Sequence, residues 1–211
     1  MVVAGREHLH VLQEEDSSKR RQILDGARKV FMDLGFDGAS MGEIARAAAV
    51  SKGTLYVYFA DKCALFEAIL EEEALQYGQV AFNFDPDRDV ETTLREFGLA
   101  YNRLLCRPGG GSAIRTVMAI AERMPDVGRR YYGRVLDKTI NRLSDYLKAH
   151  VASGDLKIPD CDLAASQFME LCKASLFLPF VFQAAPAPSE ERMTEVVDSA
   201  ARMFLAAYRA K

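Results

Sequence analysis

Histidine is scarce in this chain, and what is missing narrows the function before any motif is read. Its three histidines are His8, His10 and His150. A carboxylate-bridged metal site in a helical bundle needs a Glu-x-x-His motif on each of two facing helices. The single such spacing, Glu7 to His10, lies in the first 16 residues. His150 stands alone near a helix end, so no nucleophile has a partnered imidazole. The four cysteines, Cys63, Cys106, Cys161 and Cys172, form no Cys-x-x-Cys pair and no metal-like spacing with histidine. They read as reduced and mostly buried. The longest apolar run, Leu176 to Phe182, is too short for a bilayer and contains Pro179. With no signal-peptide pattern either, the expectation is a soluble cytoplasmic chain with no membrane partner, metal or cofactor. Strand-like alternation and internal repeats are absent too. The glycine-rich loop Arg107 to Ser112 lacks the Gly-Lys-Ser/Thr ending and the preceding strand of a phosphate loop. What remains is an all-α protein whose 211 residues, 49% hydrophobic, suffice for one large or two modest domains.

Charge is unevenly spread. Ser17 to Lys62 holds eight Lys/Arg against five Asp/Glu, a balance of +3, and the other residues hold nineteen against twenty-five, a balance of −6. A basic head on an acidic body suits a protein that offers one end to phosphates. Within that head, Ser40 followed by Glu43 forms a capping box. Met41, Ile44, Ala45 and Ala48 then lie on one stripe of a two-turn helix. Ser51 caps a second short helix, with Val50 and Leu55 as its hydrophobic staple. Leu55 and Phe59 face inward, leaving Lys52, Gly53, Thr54, Tyr56 and Tyr58 outward. That face has the chemistry of a recognition helix. Lys52 and Thr54 can reach base edges, the tyrosines can bond phosphate oxygens, and Lys62 can hold a further phosphate. Gly53, costly inside a helix, marks a place where backbone must approach something closely.

The pattern R-x-x-I-L-x-x-A-x-x-x-F from Arg20, then Gly35-Phe36, S-x-x-x-I-A from Ser40, and V-S-K-G-T-L-Y-x-Y-F-x-x-K-x-x-L-F from Val50 to Phe66 resembles the DNA-binding domain of the TetR family of transcriptional regulators. Met41 stands where threonine is common in that family. The resemblance implies that Ser40, Ser51, Lys52, Gly53, Thr54, Tyr56, Tyr58 and Lys62 occupy DNA-contacting positions. It also implies a dimer joined through the last two helices, a variable effector domain, and repression as the usual mode. The stretch Ile120 to Tyr132, I-A-E-R-M-P-D-V-G-R-R-Y-Y, is similar to a segment of the regulatory domain in one subgroup.

Three regions are expected: a loosely ordered leader over 1–16, a helix-turn-helix domain over 17–62, and an effector-binding and dimerisation domain over 63–211. The first helix starts at Ser17 or Ser18, buries Ile23, Ala27, Val30, Phe31 and Leu34, and stops at Gly35. Lys19, Arg20 and Arg21 fit either a neighbouring phosphate or a solvated face. A helix from Asp61 to about Ala81 follows, with Glu71 to Glu73 on its solvated side. Further helices span 89–105, 113–123, 126–153, from Asp160 or Cys161 to about Gln183, and 189–210. Phe97, Tyr101, Met118, Phe168, Met169, Cys172 and Ser175 are candidates for a pocket that takes a small hydrophobic effector. Leu176, Phe177, Val196, Val197, Ala200, Met203 and Phe204 are candidates for a two-fold four-helix interface. The expected function is a dimeric regulator, released from a palindromic operator when effector binding shifts the spacing of its two heads. The alternatives are an all-helical enzyme and a helical interaction protein without DNA binding.

Overall fold

The computed structural model describes residues 3–79, 84–85, 87–107 and 110–210. The chain divides into two compact units, Met1–Glu73 and Ala74–Lys211. Among the described residues the pairing of extended backbone is limited to one isolated bridge, Leu156 to Arg209, and no helix is long and apolar enough to cross a membrane.

The first unit is built on α1 (Val3–Gly38), α2 (Met41–Ala47), α3 (Lys52–Tyr58) and the start of α4 (Lys62–Gln79). Helix α1 begins at Val3, well before the start expected at Ser17 or Ser18. Between Arg6 and Asp25 the chain has no glycine or proline and many good helix formers, so nothing breaks the helix ahead of the serines. The side chains of Glu7, His8 and His10 lie outside the described ones. At Gly35 the backbone leaves helical geometry, with φ 69° and ψ 174°, a region open essentially to glycine alone.

Ile23, Leu24 and Phe31 of α1, Ile44 and Ala45 of α2, Leu55 of α3, and Leu65 and Phe66 of α4 are all buried. Phe31, Phe36 and Phe66 form an aromatic trio with centroids 5.5–5.6 Å apart. Through Phe66 the start of α4 packs on α1. Glu72, expected on a solvated face, instead accepts from Arg28 at 2.6 Å and Arg20 at 3.3 Å, and so ties α4 to α1.

The second unit contains α5 (Val90–Leu105), α6 (Gly110–Ile120), α7 (Pro125–Tyr131), a π-helical segment (Tyr132–Asp137), α8 (Lys138–Ser153), α9 (Cys161–Lys173), α10 (Phe177–Val181) and α11 (Glu190–Tyr208). Asp89, Asp160 and Ser189 cap α5, α9 and α11, each accepting a backbone N–H from three residues on. Gly154 ends α8 with φ 87°. The continuous helix expected from 160 to 183 is broken: Ser175 has φ 59°, and α10 restarts after it. Pro179 is the cause, because its ring would collide with the Ser175 carbonyl of an unbroken helix and it has no N–H to donate.

Helices α5, α9 and α11 share a core of Phe97, Tyr101, Phe168, Cys172, Val197 and Phe204. Phe97 stacks on Tyr101 at 5.7 Å, and Phe168 meets Phe204 edge-on at 5.2 Å. Asn102, fully buried on α5, donates to the Cys172 carbonyl at 2.8 Å. Gly98 lets α5 settle against both partners: a Cβ there would lie 2.8 Å from Val197 Cγ1 and 2.9 Å from Cys172 Sγ.

Candidate nucleic-acid interface

The capping chemistry of the two short helices is present as the sequence dictates. Ser40 Oγ accepts the Glu43 N–H at 3.2 Å, and the Glu43 carboxylate accepts the Ser40 N–H at 2.9 Å. The Ser40 hydroxyl, which donates to Glu43 Oε2 at 2.7 Å, and then the Ser40 N–H hold the Glu43 carboxyl below its ordinary range. Ser51 Oγ accepts the Thr54 N–H at 2.9 Å. Between the helices Ala49 turns the chain with φ 51°. Gln22 Nε2 donates to the Ala48 carbonyl at 2.7 Å, fixing the end of α2 to α1.

With Leu55 and Phe59 buried, α3 turns Lys52, Gly53, Tyr56 and Val57 to the outside. Tyr56 is 54% exposed and Val57 82%. Thr54 and Tyr58 flank this face, half-buried. The Lys52 side chain stretches across to α2, where a Cβ on Gly42 would come within 3.3 Å of Nζ. Cation, hydroxyls and two helix N-termini are thus brought together on one side of the unit. That arrangement can bind phosphate and reach base edges.

Two expected contacts have other duties. Lys62 Nζ donates to the carbonyls of Phe36, Asp37 and Ala39 at 2.8, 3.3 and 3.2 Å and sits 4.7 Å from the Phe36 ring centre. An ammonium has three N–H donors, and in the protein without DNA Lys62 directs them to the connection between α1 and α2. The Tyr58 hydroxyl donates to Asp16 Oδ1 at 2.7 Å, and this bond raises the phenol's pKa. Arg20, considered for phosphate, lies over the Phe59 ring at 5.4 Å and bonds Glu72. Two residues of the site were not singled out in the sequence. Val57 is an exposed β-branched residue between the tyrosines, able to meet a thymine methyl. Asp16 is 42 residues from its partner, and no local pattern announces it.

Gly53 has room around it. A Cβ there would meet nothing in the protein nearer than Ser51 Oγ at 3.7 Å, so the fold itself does not demand glycine. Gly53→Ala is therefore expected to stabilise the free protein by about 0.5 kcal/mol and to weaken duplex binding. Thermal unfolding and fluorescence anisotropy check the two opposite signs; equal or tighter binding would remove Gly53 from the interface.

In the second unit, Phe97, Tyr101, Phe168, Met169 and Cys172 are buried together, but Met118 is 60% exposed and Ser175 is exposed. Met118 lies on the outer side of α6, and the positive φ of Ser175 turns it outward, where its hydroxyl accepts from Arg192 at 3.2 Å. A polar surface cleft of about 570 Å³ is lined by Asp87, Asp89, His150, Asp155 and Arg209. None of the seven expected pocket residues lines it. Of the expected interface residues, Leu176, Phe177, Val196, Val197, Ala200 and Phe204 are buried within the subunit, and Met203 is 57% exposed. Apolar side chains left outside on the last helices include Leu163, Leu178 and Phe182.

Comparison with known proteins gives the following. Residues 23–69 match the model of bacterial regulatory proteins of the tetR family, and residues 92–210 match that of the C-terminal domain of AefR-like transcriptional repressors. The HTH-type transcriptional repressor Rv1474c of Mycobacterium tuberculosis is 38% identical over 71 residues, 34% of this chain and 38% of that protein. The A-factor receptor protein of Streptomyces griseus is 47% identical over 53 residues, 25% of this chain and 19% of that protein. The match thus spans well under half the length of these curated relatives. Among solved structures, a TetR-family regulator from Mesorhizobium loti superposes with a TM-score of 0.82 at 25% identity, covering 92% of this chain and 98% of that one. The flavonoid-responsive regulator FrrA gives 0.77 at 28% identity with the same coverage.

Proposed function

The chain belongs to the TetR family of bacterial transcriptional regulators, and from that premise we propose a dimeric repressor that leaves a palindromic operator when a small hydrophobic molecule binds its second unit. The exposed face of α3, with Lys52, Gly53, Tyr56 and Val57 outward, carries this reading. One such helix reads few base pairs, whereas two set about 34–36 Å apart read successive major-groove faces and add their energies. The enzyme and interaction-protein alternatives gain no support, since the relatives are transcriptional regulators.

An aromatic, phenol-bearing effector is favoured by two considerations. FrrA, alike over 92% of this chain, is flavonoid-responsive. The second unit buries Phe97, Tyr101, Phe168 and Met169 together, side chains whose chemistry suits a flat ring once they part to admit it. Selection of bound duplexes from a random pool, repeated with a panel of flavonoids, tests this directly. The expected result is an inverted repeat whose binding weakens with at least one of them. Unchanged affinity at saturating ligand would refute release.

The exposed apolar residues of α9 and α11 support self-association through those helices. Leu163 and Met203, 54% and 57% exposed, are the side chains we assign to the two-fold contact. A double Leu163→Glu, Met203→Glu variant places like charges at that contact and is expected to weaken the dimer at least tenfold, on the order of 1.4 kcal/mol or more. Sedimentation velocity measures the change, with circular dichroism to show the subunit still folded. A variant that stays dimeric would move the interface elsewhere.

A further inference from the structure

We infer that Asp16 occupies the seat of a DNA phosphate at Tyr58 and so limits how tightly the head grips the duplex. The inference rests on the regulator reading and adds to it a residue that sets affinity. A phenol has one O–H to give, and Tyr58 gives it to Asp16 Oδ1 at 2.7 Å. Carboxylate and phosphate oxygens are both anionic acceptors that draw a hydroxyl into a short, charge-assisted bond. One O–H cannot serve both. Tyr58 on the flank of α3 is therefore withheld from the backbone for as long as Asp16 holds it.

Asp16 also brings a negative charge to the edge of a face that must approach phosphates. Two cations close to it on the same helix have other partners. Lys19 Nζ bonds Gln22 at 3.0 Å, and Arg20 is directed to Glu72 and the Phe59 ring. Asp16 is itself exposed, and its oxygen accepts from a tyrosine of another helix. The contact links the early part of α1 to the end of the recognition helix without supporting the core, so removing the carboxylate leaves the aromatic trio and the capping boxes intact. In operation, a duplex must displace the carboxylate to gain the Tyr58 contact. Binding is weakened in proportion, which makes the complex easier for an effector to dissolve.

The test uses the full-length protein and a fluorescein-labelled duplex of random sequence, since phosphate contacts need no operator, with anisotropy titrations over a range of salt. Asp16→Ala is expected to bind about tenfold tighter at low salt, with a steeper salt slope because one anion leaves the face that meets the phosphates. Asp16→Asn keeps an acceptor for the hydroxyl while dropping the charge, and it is expected to gain less. Tyr58→Phe costs less affinity in the wild-type background than in Asp16→Ala, where it erases most of the gain. Should Asp16→Ala lower the thermal unfolding midpoint, Asp16→Asn carries the comparison. Wild-type protein that binds no duplex overturns the regulator reading and this inference with it. Firm wild-type binding that Asp16→Ala leaves unchanged or weakens, or a gain that Tyr58→Phe does not remove, overturns this inference alone.

Discussion

Gly98→Val is expected to disrupt the second unit, lowering its stability by about 3 kcal/mol or more. Alanine in place of an open helical glycine is normally a gain of about 1 kcal/mol, so the sign at this position depends on space. There is none: the first carbon added would already lie 2.8 Å from Val197 and 2.9 Å from Cys172, closer than real Cβ contacts come. Valine adds two further methyls. Overpacking of a filled core costs about 1–3 kcal/mol, occasionally more, and domains of this kind hold roughly 5–15 kcal/mol in all. Helix α5 must then move off α9 and α11, and the Asn102 bond to the Cys172 carbonyl is stretched with it. Urea denaturation followed by circular dichroism gives the result. Even the milder Gly98→Ala is expected to destabilise, and a stabilised Gly98→Ala would show that the three helices are not so closely packed.

Gly26→Val is expected to do comparable damage in the head and to abolish duplex binding. A Cβ on Gly26 would stand 2.6 Å from the Ala48 nitrogen and 2.7 Å from its Cα and Cβ. These are atoms of backbone and the first side-chain carbon, which no rotamer change can move. Helix α1 must withdraw from the end of α2, and Gln22 then loses the Ala48 carbonyl it holds at 2.7 Å. The turn through Ala49 loses its anchor, and α3 loses its fixed place relative to α2. A cost of about 3 kcal/mol or more follows from overpacking and the lost bond together. Anisotropy with the selected duplex and thermal unfolding report the two effects; a folded variant with wild-type affinity would contradict the packing described for this unit.

Much of the head was legible because its signals are local. A serine just ahead of an apolar helical stripe is a local N-cap signal, strengthened at Ser40 by Glu43 three residues on, and Ser40 and Ser51 both act as such starts. What escaped reading depends on residues distant in sequence. That the Lys62 ammonium also reaches the carbonyls of Phe36, Asp37 and Ala39 is set by the fold and not by its neighbours in sequence. Tyr58 looks available until Asp16 is found beside it. In the second unit the apolar stripe of α11 was visible, but a stripe does not say whether it meets its own subunit or a second copy. Val196, Val197, Ala200 and Phe204 turned inward, and Met203 remained outside. The break at Ser175 was within reach of the sequence, since Pro179 four residues on forbids the helix expected there.

The central claim is that the outward face of α3 reads duplex DNA as a symmetric pair. The most direct measurement is selection of duplexes from a random pool by full-length protein, followed by anisotropy titration of the best site with wild type and Lys52→Ala. The predicted result is an inverted repeat with half-sites about 10 base pairs apart, or a multiple of that spacing, bound at least tenfold more weakly by Lys52→Ala while the variant remains folded. Failure to enrich any site, or a site bound equally well without the Lys52 ammonium, would contradict it.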